Sequence, residues 1–171
     1  MNHSTIVFRR ANADDAQKIV SFYNFVGGET TFLSFEKDEY PLNVDEQTAS
    51  IQALDGNQNN IMLMAMDGDE IAGIATISSS HKIKARHEGE LGIVVARKYQ
   101  GQGIGSELIR RLIEWARGNG VTTRIRLDTR TDNTDAVSLY LKFGFTVEGC
   151  CKNSTLLNGK YYDLYIMGMM L

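Results

Sequence analysis

The stretch from Leu91 to Gly120 constrains the fold of this chain more than any other segment. It opens with the β-branched run Ile93-Val94-Val95, which favours a buried strand, and then passes through a glycine-rich turn, Gln100 to Ser106. The apolar residues that follow recur at helical spacing: Ile104, Leu108, Leu112 and Trp115. The sequence therefore predicts a strand, a glycine-rich turn and an amphipathic helix that ends between Gly118 and Gly120.

Such a turn can bind an anion, because the first N–H groups of a helix have no partner within the helix. The helix macrodipole adds to their attraction for phosphate. Gly101, Gly103 and Gly105 carry no Cβ, so a ligand could lie directly against the backbone. The same glycines would also suit an ordinary tight connection between a strand and a helix.

Two nucleotide-binding motifs fit this turn poorly. A P-loop requires a lysine directly after its last glycine, and no lysine follows Gly105. A dinucleotide fingerprint, Gly-x-Gly-x-x-Gly, fits Gly101 and Gly103 but meets serine at position 106. Asp128 could serve as its ribose-binding acid, but such a unit normally opens its domain, whereas about a hundred residues precede this one.

The segment Gln100-x-x-Gly103-x-Gly105 resembles the acyl-CoA pyrophosphate motif, Arg/Gln-x-x-Gly-x-Gly/Ala, of the GNAT acetyltransferases. A second segment resembles the family at its usual spacing: Leu127-Asp128-Thr129-Arg130, Asn133, Ala136, Leu139-Tyr140, Lys142 and Gly144-Phe145. The resemblance covers about Thr5 to the C-terminus, and the first third matches only in pattern. It implies one GNAT domain, residues 1–171, of the α/β (α+β) class. Its mixed, mostly antiparallel twisted sheet would be splayed at the central strands, with helices on both faces.

The same resemblance implies an acetyl-CoA-dependent N-acetyltransferase, with acetyl-CoA as co-substrate and no metal. The acetyl group would pass directly, in a ternary complex, to a primary amine, either a small amine or a peptide or protein N-terminus. The ending Asn158-Gly159-x-Tyr-x-Asp is similar to family branches that acetylate ribosomal-protein N-termini or small amines. The alternative is a non-catalytic acyl-CoA-binding sensor or interaction protein on the same fold, which would bind the cofactor without transfer.

By this resemblance, the cofactor contacts the end of the central strand, the turn and the two helices that follow. The expected cofactor-binding residues are Ile93, Val94, Val95, Gln100, Gly101, Gln102, Gly103, Ile104, Gly105, Ser106, Asn133, Tyr140 and Lys142. A backbone N–H near Val94-Val95, where the central strand splays, would polarise the thioester carbonyl. Asn133 could instead act only as the N-cap of its helix.

Acetyl transfer to an amine needs a base, since an alkylamine is mostly protonated at neutral pH. Two carboxylates match acidic family positions: Glu90 at the start of the central strand, and Asp128 in the next strand. Tyr140 matches the family tyrosine that protonates the leaving thiolate, and a phenol is a suitable donor near neutral pH. The alternatives are structural: solvated carboxylates at strand ends, and a core tyrosine on an amphipathic helix.

The segment from Glu29 to Pro41 is irregular, aromatic and acidic, and lies between the two predicted N-terminal helices. In the GNAT fold this region shapes the acceptor site. The residues expected to contact the substrate are therefore Glu29, Thr31, Phe32, Phe35 and Tyr40. Phe32 and Phe35 could equally serve only to pin a surface loop.

The chain is predicted to close with two antiparallel strands, Thr146–Cys151 and Tyr161–Met169, joined by a loop, Lys152–Lys160, that contains Asn158-Gly159. The adjacent Cys150 and Cys151 suit neither a mutual disulfide nor a C-x-x-C site. The closing strand is rich in methionine and suggests a possible homodimer.

Charge and hydropathy limit the partners. A net charge of −3 argues against a general binder of nucleic acid or of anionic membranes. No apolar run is long enough to span a membrane, and the first ten residues lack the order of a signal peptide. We therefore expect a cytoplasmic protein with no nucleic-acid or membrane partner.

Overall fold

The structure, a computed structural model, describes residues 5–171. The strands are β1 (Val7–Arg10), β2 (Ile61–Asp67), β3 (Glu70–Ser79), β4 (Glu88–Val95), β5 (Arg124–Arg130), β6 (Thr146–Leu157) and β7 (Lys160–Met170). The helices are α1 (Ala16–Gly27), α2 (Val44–Gln52), α3 (Ile104–Gly118) and α4 (Thr134–Lys142). Residues 1–4, part of the stretch predicted to lack a signal peptide, lie outside this described range.

All seven strands form one sheet in the order β1-β2-β3-β4-β5-β7-β6. Every neighbouring pair is antiparallel except β4 and β5, which run parallel. That parallel pair is short: it joins Glu88–Glu90 to Arg124–Arg126 and then stops. The predicted fold class, a mostly antiparallel mixed sheet splayed at its central strands, is confirmed.

Helices cover both faces of the sheet, as two neighbouring residues of β1 demonstrate. The ring of Phe8 packs against α3, with its centroid 4.8 Å from the guanidinium carbon of Arg111. Arg9 points to the other face and pairs with Asp15, directly before α1, at 2.7 Å. Since successive strand residues point to opposite faces, α3 and α1 lie on opposite sides of the sheet. We call these sides the α3 face and the α1 face.

The helix predicted after the glycine-rich turn forms as expected. Its buried stripe, Leu108, Ile109, Leu112 and Ala116, is fully excluded from solvent. Burial of one such large aliphatic side chain stabilises the fold by roughly 1.5–3 kcal/mol. Gly73 of β3 lies under this helix, and a Cβ there would come within 3.3 Å of Leu108 Cδ1. This close packing holds the first turn of α3 directly above the end of β4.

The prediction of a loop over Lys152–Lys160 is wrong, because β6 continues to Leu157. Only Asn158 and Gly159 form the turn, with φ angles of 50° and 75°. Such a two-residue turn suits the twist of paired antiparallel strands. The pairing shifts register between Cys151 and Thr155, and Asn153 takes a φ of 53° within that bulge. A bulge absorbs the residues that interrupt the alternating pattern, and the strand then continues.

The methionines of β7 are not a uniform surface. Met167 is fully buried in the core, whereas Met170 is 67% exposed. The homodimer expected from this strand stays a prediction, as does the cytoplasmic location. Between residues 5 and 171, no helix combines the length and the apolar character needed to cross a bilayer.

Candidate active site

A wedge-shaped opening separates β4 from β5. On the sides that face away from the opening, β4 pairs with β3 as far as Val95, and β5 pairs with β7 as far as Arg130. Between themselves the two strands pair only to Glu90 and Arg126. The segment Leu91–Val95 therefore has no strand partner on its β5 side, so that its backbone groups are available to a ligand.

The register shows which backbone groups face this opening. The N–H of Ala96 donates to the carbonyl of Ala72, next to β3, over 3.0 Å. The direction of the backbone N–H and C=O groups alternates along a strand. The backbone groups of Val94 therefore bond to β3, whereas those of Ile93 and Val95 point toward β5. The N–H of Val95 therefore faces the opening, and the N–H of Val94 does not.

The glycine-rich turn at the end of this opening presents bare backbone. Gly101 and Gly103 have φ angles of 74° and 80°, and a Cβ at either position would meet no atom within 4 Å. No side chain caps α3. Within residues 5–171, no protein group accepts a hydrogen bond from the N–H groups of Gly101–Ser106. A row of unpaired donors at a helix N-terminus is a site for an anion.

The two glutamines predicted to bind the cofactor hold the turn in shape. Gln100 Nε2 donates to the carbonyl of Val95 at 3.1 Å, and Gln102 Nε2 donates to the carbonyl of Lys98 at 3.0 Å. The buried Tyr99 anchors the same turn from below by donating to Asp67 Oδ2 at 2.9 Å. Burial raises the pKa of the Tyr99 phenol, and the carboxylate of Asp67 adds to the rise. The turn is thus shaped before any ligand binds.

Tyr140 lies on α4, beside the start of α3. A Cβ on Gly105 would be 3.8 Å from Leu139 Cδ2, which places the two helices side by side at the turn. Tyr140 is 8% exposed and packs edge-on against Phe145, with ring centroids 5.9 Å apart. Burial raises the pKa of its phenol to about 12. The hydroxyl group therefore keeps its proton at neutral pH and can act as a donor.

The other two cofactor candidates on this side are positioned at the ends of α4. Asn133 occupies the N-cap position, but its side chain makes no capping hydrogen bond. The interpretation of Asn133 as a pure N-cap is therefore wrong in this structure. Lys142 is exposed at the last residue of the helix and takes part in none of the ion pairs found in the described chain.

The two candidate bases lie on the α1 face, on either side of the opening. Glu90 is the register partner of Arg126, so Asp128 lies two residues further along β5 and on the same face. Asp128 Oδ1 accepts from Arg126 Nη2 at 2.9 Å, and this bond is the main cause of the raised pKa of Arg126. Glu90 is exposed and accepts no hydrogen bond to its side chain from any described residue. Glu90 is thus the less constrained of the two carboxylates.

The catalytic candidates approach the opening from opposite sides. Ile93 and Val95 face α3, since both side chains lie 3.8–3.9 Å from a Cβ built on Gly105. Glu90 alternates with them along β4 and therefore faces α1. Tyr140 stands on the helix that borders α3. The two candidates for proton transfer thus lie on opposite faces of the sheet.

Three of the predicted substrate residues border the far end of the opening. Glu29 Oε2 accepts from the N–H of Arg97 at 2.9 Å, just beyond β4. The carbonyl of Thr31 accepts from Arg130 Nη1 at 2.8 Å, at the end of β5. The ring of Phe32 lies 4.9 Å from the guanidinium carbon of Arg130. We call the segment Glu29–Phe32 the acceptor loop.

Phe35 and Tyr40 belong instead to an aromatic cluster with Tyr23 of α1. Phe35 packs edge-on against both tyrosines, at centroid distances of 5.9 Å and 5.4 Å, and the tyrosines stack at 4.5 Å. Phe35 therefore holds the loop against α1, and it also lines the cleft beside that loop, so its contact with the substrate stays a prediction. A cleft of about 910 Å³ lies between this loop, Arg97 and the tip of the β6–β7 hairpin. It is a vestibule beside the candidate catalytic groups and does not contain them.

The arginines that organise this site were not among the predicted site residues. Arg97 and Arg130 hold the acceptor loop, and Arg126 holds Asp128. A signal was present, since Arg124-x-Arg126-x-Asp128-x-Arg130 alternates along one strand and places four charged side chains on one face. The part of the chain seen in the structure has no cluster of three or more His, Cys, Asp or Glu side chains that could hold a metal ion.

Comparisons with known proteins agree with this architecture. An acetyltransferase of the GNAT family from Streptococcus pneumoniae has the same fold at a TM-score of 0.94 and 35% identity, over 98% of this chain and 99% of that one. A putative acetyltransferase from Salmonella typhimurium, solved with its cofactor acetyl-CoA, has a TM-score of 0.84 and 23% identity, over 98% and 95% of the two chains. The opened sheet with helices on both faces is thus the fold of an acetyltransferase.

The sequence comparisons name the family. The acetyltransferase (GNAT) family matches residues 29–145, and the chain belongs to that family. The L-amino acid N-acetyltransferase AaaT of Escherichia coli strain K12 is 34% identical over 106 residues, which are 62% of this chain and 65% of AaaT. The chain thus spans just under two thirds of the length of that curated relative.

Proposed function

We propose that the protein transfers an acetyl group from acetyl-CoA to a primary amine, directly and within a ternary complex. The observation that carries the proposal is the set of unpaired N–H groups, Gly101–Ser106, immediately beside the unpaired end of β4. A diphosphate on those donors would direct the pantetheine arm toward the opening. The acetyl-CoA bound to the Salmonella typhimurium neighbour supports the choice of cofactor.

The cofactor would lie along the α3 face. The backbone N–H groups of the turn would hold the diphosphate, and Ile93, Val94 and Val95 would run beside the pantetheine arm. The N–H of Val95 points into the opening and is the donor that would polarise the thioester carbonyl. The Asn133 amide, which caps nothing, and the Lys142 ammonium are polar groups that the distal parts of the cofactor could contact.

The amine would approach from the α1 face. Glu90 takes a proton from the ammonium form, directly or through a water, and the neutral nitrogen attacks the thioester carbon. A C–N bond forms, the C–S bond breaks, and the nitrogen gives up its second proton to solvent as the amide forms. The Tyr140 hydroxyl group donates its proton to the leaving sulfur and is reprotonated from solvent, and the solvent-exposed Glu90 is deprotonated again, so that one turnover releases one proton in all. Attack and departure on opposite sides of the sheet avoid competition between the amine and the thiolate for one space.

The acceptor would be a small amine or the N-terminus of a peptide or protein. Glu29, Thr31 and Phe32 border the opening on the side from which the amine arrives. The name of the Escherichia coli relative specifies L-amino acids, which supports an α-amine among these choices. The vestibule of about 910 Å³ leaves room for a group attached to that amine.

The direct test is release of free thiol from acetyl-CoA in the presence of an amine panel of L-amino acids, polyamines and peptides with free N-termini. We expect release with at least one class, and mass spectrometry should find the acetylated amine. Calorimetry with acetyl-CoA runs in parallel. Binding without release across the panel would contradict the transferase proposal and leave a non-catalytic binder, while absence of binding would contradict both.

Gly103→Ala is expected to weaken acetyl-CoA binding about tenfold or more, measured by calorimetry. Its Cβ would project into the open space where the diphosphate must meet the backbone, and tenfold corresponds to about 1.4 kcal/mol. The matched control is Gly120→Ala, which also has a positive φ, 74°, and open space around it, but follows α3 at the other end. Both changes carry a similar backbone strain of about 1–2 kcal/mol. Equal cofactor affinity in the two variants would remove the turn from the binding site.

A further inference from the structure

The acceptor loop crosses the mouth of the opening and is tied down on both sides of it. On the β4 side, Glu29 Oε2 accepts from the N–H of Arg97, and the Arg97 guanidinium donates to the carbonyl of Glu29. On the β5 side, Arg130 donates to the carbonyl of Thr31. The two strands no longer pair with each other at this level. The loop therefore bridges the ends of the two strands.

Arg130 uses all three nitrogens of its guanidinium in this position. Nη1 donates to Thr31 O at 2.8 Å, while Nε and Nη2 donate to the two oxygens of Asp132 at 3.0 Å and 2.7 Å. Its guanidinium carbon lies 3.8 Å from the ring centroid of Tyr162 and 4.9 Å from that of Phe32. The side chain is only 5% exposed. β5, β7 and the acceptor loop thus meet at one buried cation.

These contacts require an arginine. The bidentate pair with Asp132 fixes the plane of the guanidinium, and that plane directs the remaining nitrogen at the backbone of the loop. Planarity also allows contact with two aromatic rings. A lysine would keep the charge, but one ammonium group cannot reproduce the fork and the stacking together.

We propose that Arg130 is a positioning residue for the acceptor amine: it holds the acceptor loop, Glu29–Phe32, across the opening between β4 and β5. Arg130 would touch neither the cofactor nor the reacting atoms, and would act through the main chain of Thr31 and the ring of Phe32. This inference rests on the proposed acetyl transfer, because it assigns the loop to the amine.

The kinetic test uses Arg130→Lys with an amine that the unaltered protein acetylates. We expect the KM for the amine to rise about tenfold or more, the order expected for loss of a charge-assisted hydrogen bond. The value of kcat should stay within about threefold, and acetyl-CoA affinity within about twofold, because Tyr140 and the glycine-rich turn are untouched. Tyr162→Leu, which removes one stacking partner of Arg130, should raise the same KM and is available if the first variant does not fold.

The matched control is Arg124→Lys. Arg124 lies on the same strand and face and is also paired with carboxylates, those of Glu88 and Glu148, but it lies away from the loop. A general loss of stability would affect both variants. The inference holds if only Arg130→Lys raises the KM for the amine. An equal rise in the two variants, or no rise in Arg130→Lys, overturns it.

Hydrogen–deuterium exchange supplies a measurement that does not depend on turnover. In Arg130→Lys the amides of residues 29–37 should exchange faster, while those of α3 should match the unaltered protein. Arg124→Lys should leave residues 29–37 unchanged. Faster loop exchange without any acetyl transfer by the unaltered protein would retain Arg130 as the loop anchor and reject the transferase. Unchanged loop exchange in Arg130→Lys would reject the anchor, whatever the activity.

Discussion

Replacing Tyr140 with phenylalanine is expected to lower kcat about a hundredfold or more, while acetyl-CoA affinity stays within about twofold. The change removes one oxygen from a ring that is otherwise buried against Phe145. No described residue accepts a hydrogen bond from that hydroxyl group, so the loss leaves no orphaned partner in the fold. General acid catalysis typically contributes 10²–10⁴-fold, which sets the size of the effect. Steady-state kinetics and calorimetry together separate the two quantities.

The pKa of Tyr140 adds a second expectation. Burial favours the neutral phenol and raises its pKa to about 12, so the acid form persists through the whole neutral and moderately alkaline range. The pH profile of kcat should therefore show no fall near pH 10, the ordinary pKa of tyrosine. A falling limb near pH 10 that disappears in Tyr140→Phe would show an exposed phenol and contradict the buried geometry. Unchanged kcat in Tyr140→Phe would remove this residue from the mechanism.

Glu90→Gln is expected to lower kcat/KM for the amine about a hundredfold at neutral pH, an effect as large as that of Tyr140→Phe. The amide is nearly isosteric with the carboxylate but cannot accept the proton of the attacking ammonium. The deficit should shrink as pH rises, because a growing fraction of the amine is then already neutral. Rate measurements across pH 6–10 would follow this recovery, and the acetyl-CoA affinity should not change.

Asp128→Asn is the matched comparison, since both carboxylates lie on the α1 face of neighbouring strands. Asp128 is held by Arg126 at 2.9 Å, so we expect its loss to lower kcat/KM less than about fivefold. The opposite ranking, a large loss in Asp128→Asn and a small loss in Glu90→Gln, would assign the base to Asp128. Small effects in both variants would contradict a side-chain carboxylate base on either strand.

The parts of the fold that follow from short-range patterns could be predicted from the sequence. The β-branched run before the turn and the apolar stripe of α3 are local, because strand and helix periods reflect which side of one element is buried. The same holds for the bare backbone at Gly101 and Gly103, where positive φ angles suit glycine. The prediction of a loop over Lys152–Lys160 was wrong because it relied on the local pattern alone. Its alternation is interrupted by a bulge, which only the partner strand β7 reveals.

In the candidate site, too, the sequence identifies the residues and the structure decides how they are arranged. Motif and position point to Tyr140, Glu90 and Asp128, but the sequence does not decide which of the two carboxylates is the base. The structure distinguishes them through Arg126, which engages Asp128 and leaves Glu90 without a hydrogen-bonded partner among the described residues. It also places Phe32 against Arg130 and Phe35 against Tyr23 and Tyr40, while both phenylalanines line the same cleft.

The sequence by itself determined the family, the strand–turn–helix unit and the types of side chain available for proton transfer, because these depend on neighbours along the chain. Only the tertiary structure decided where β4 and β5 separate, which N–H group faces the gap, and how Arg97 and Arg130 hold the acceptor loop above it. Those features depend on pairs such as Thr31 and Arg130, which lie far apart in the chain. Their meeting follows from strand order and register, and local periodicity does not encode either of these.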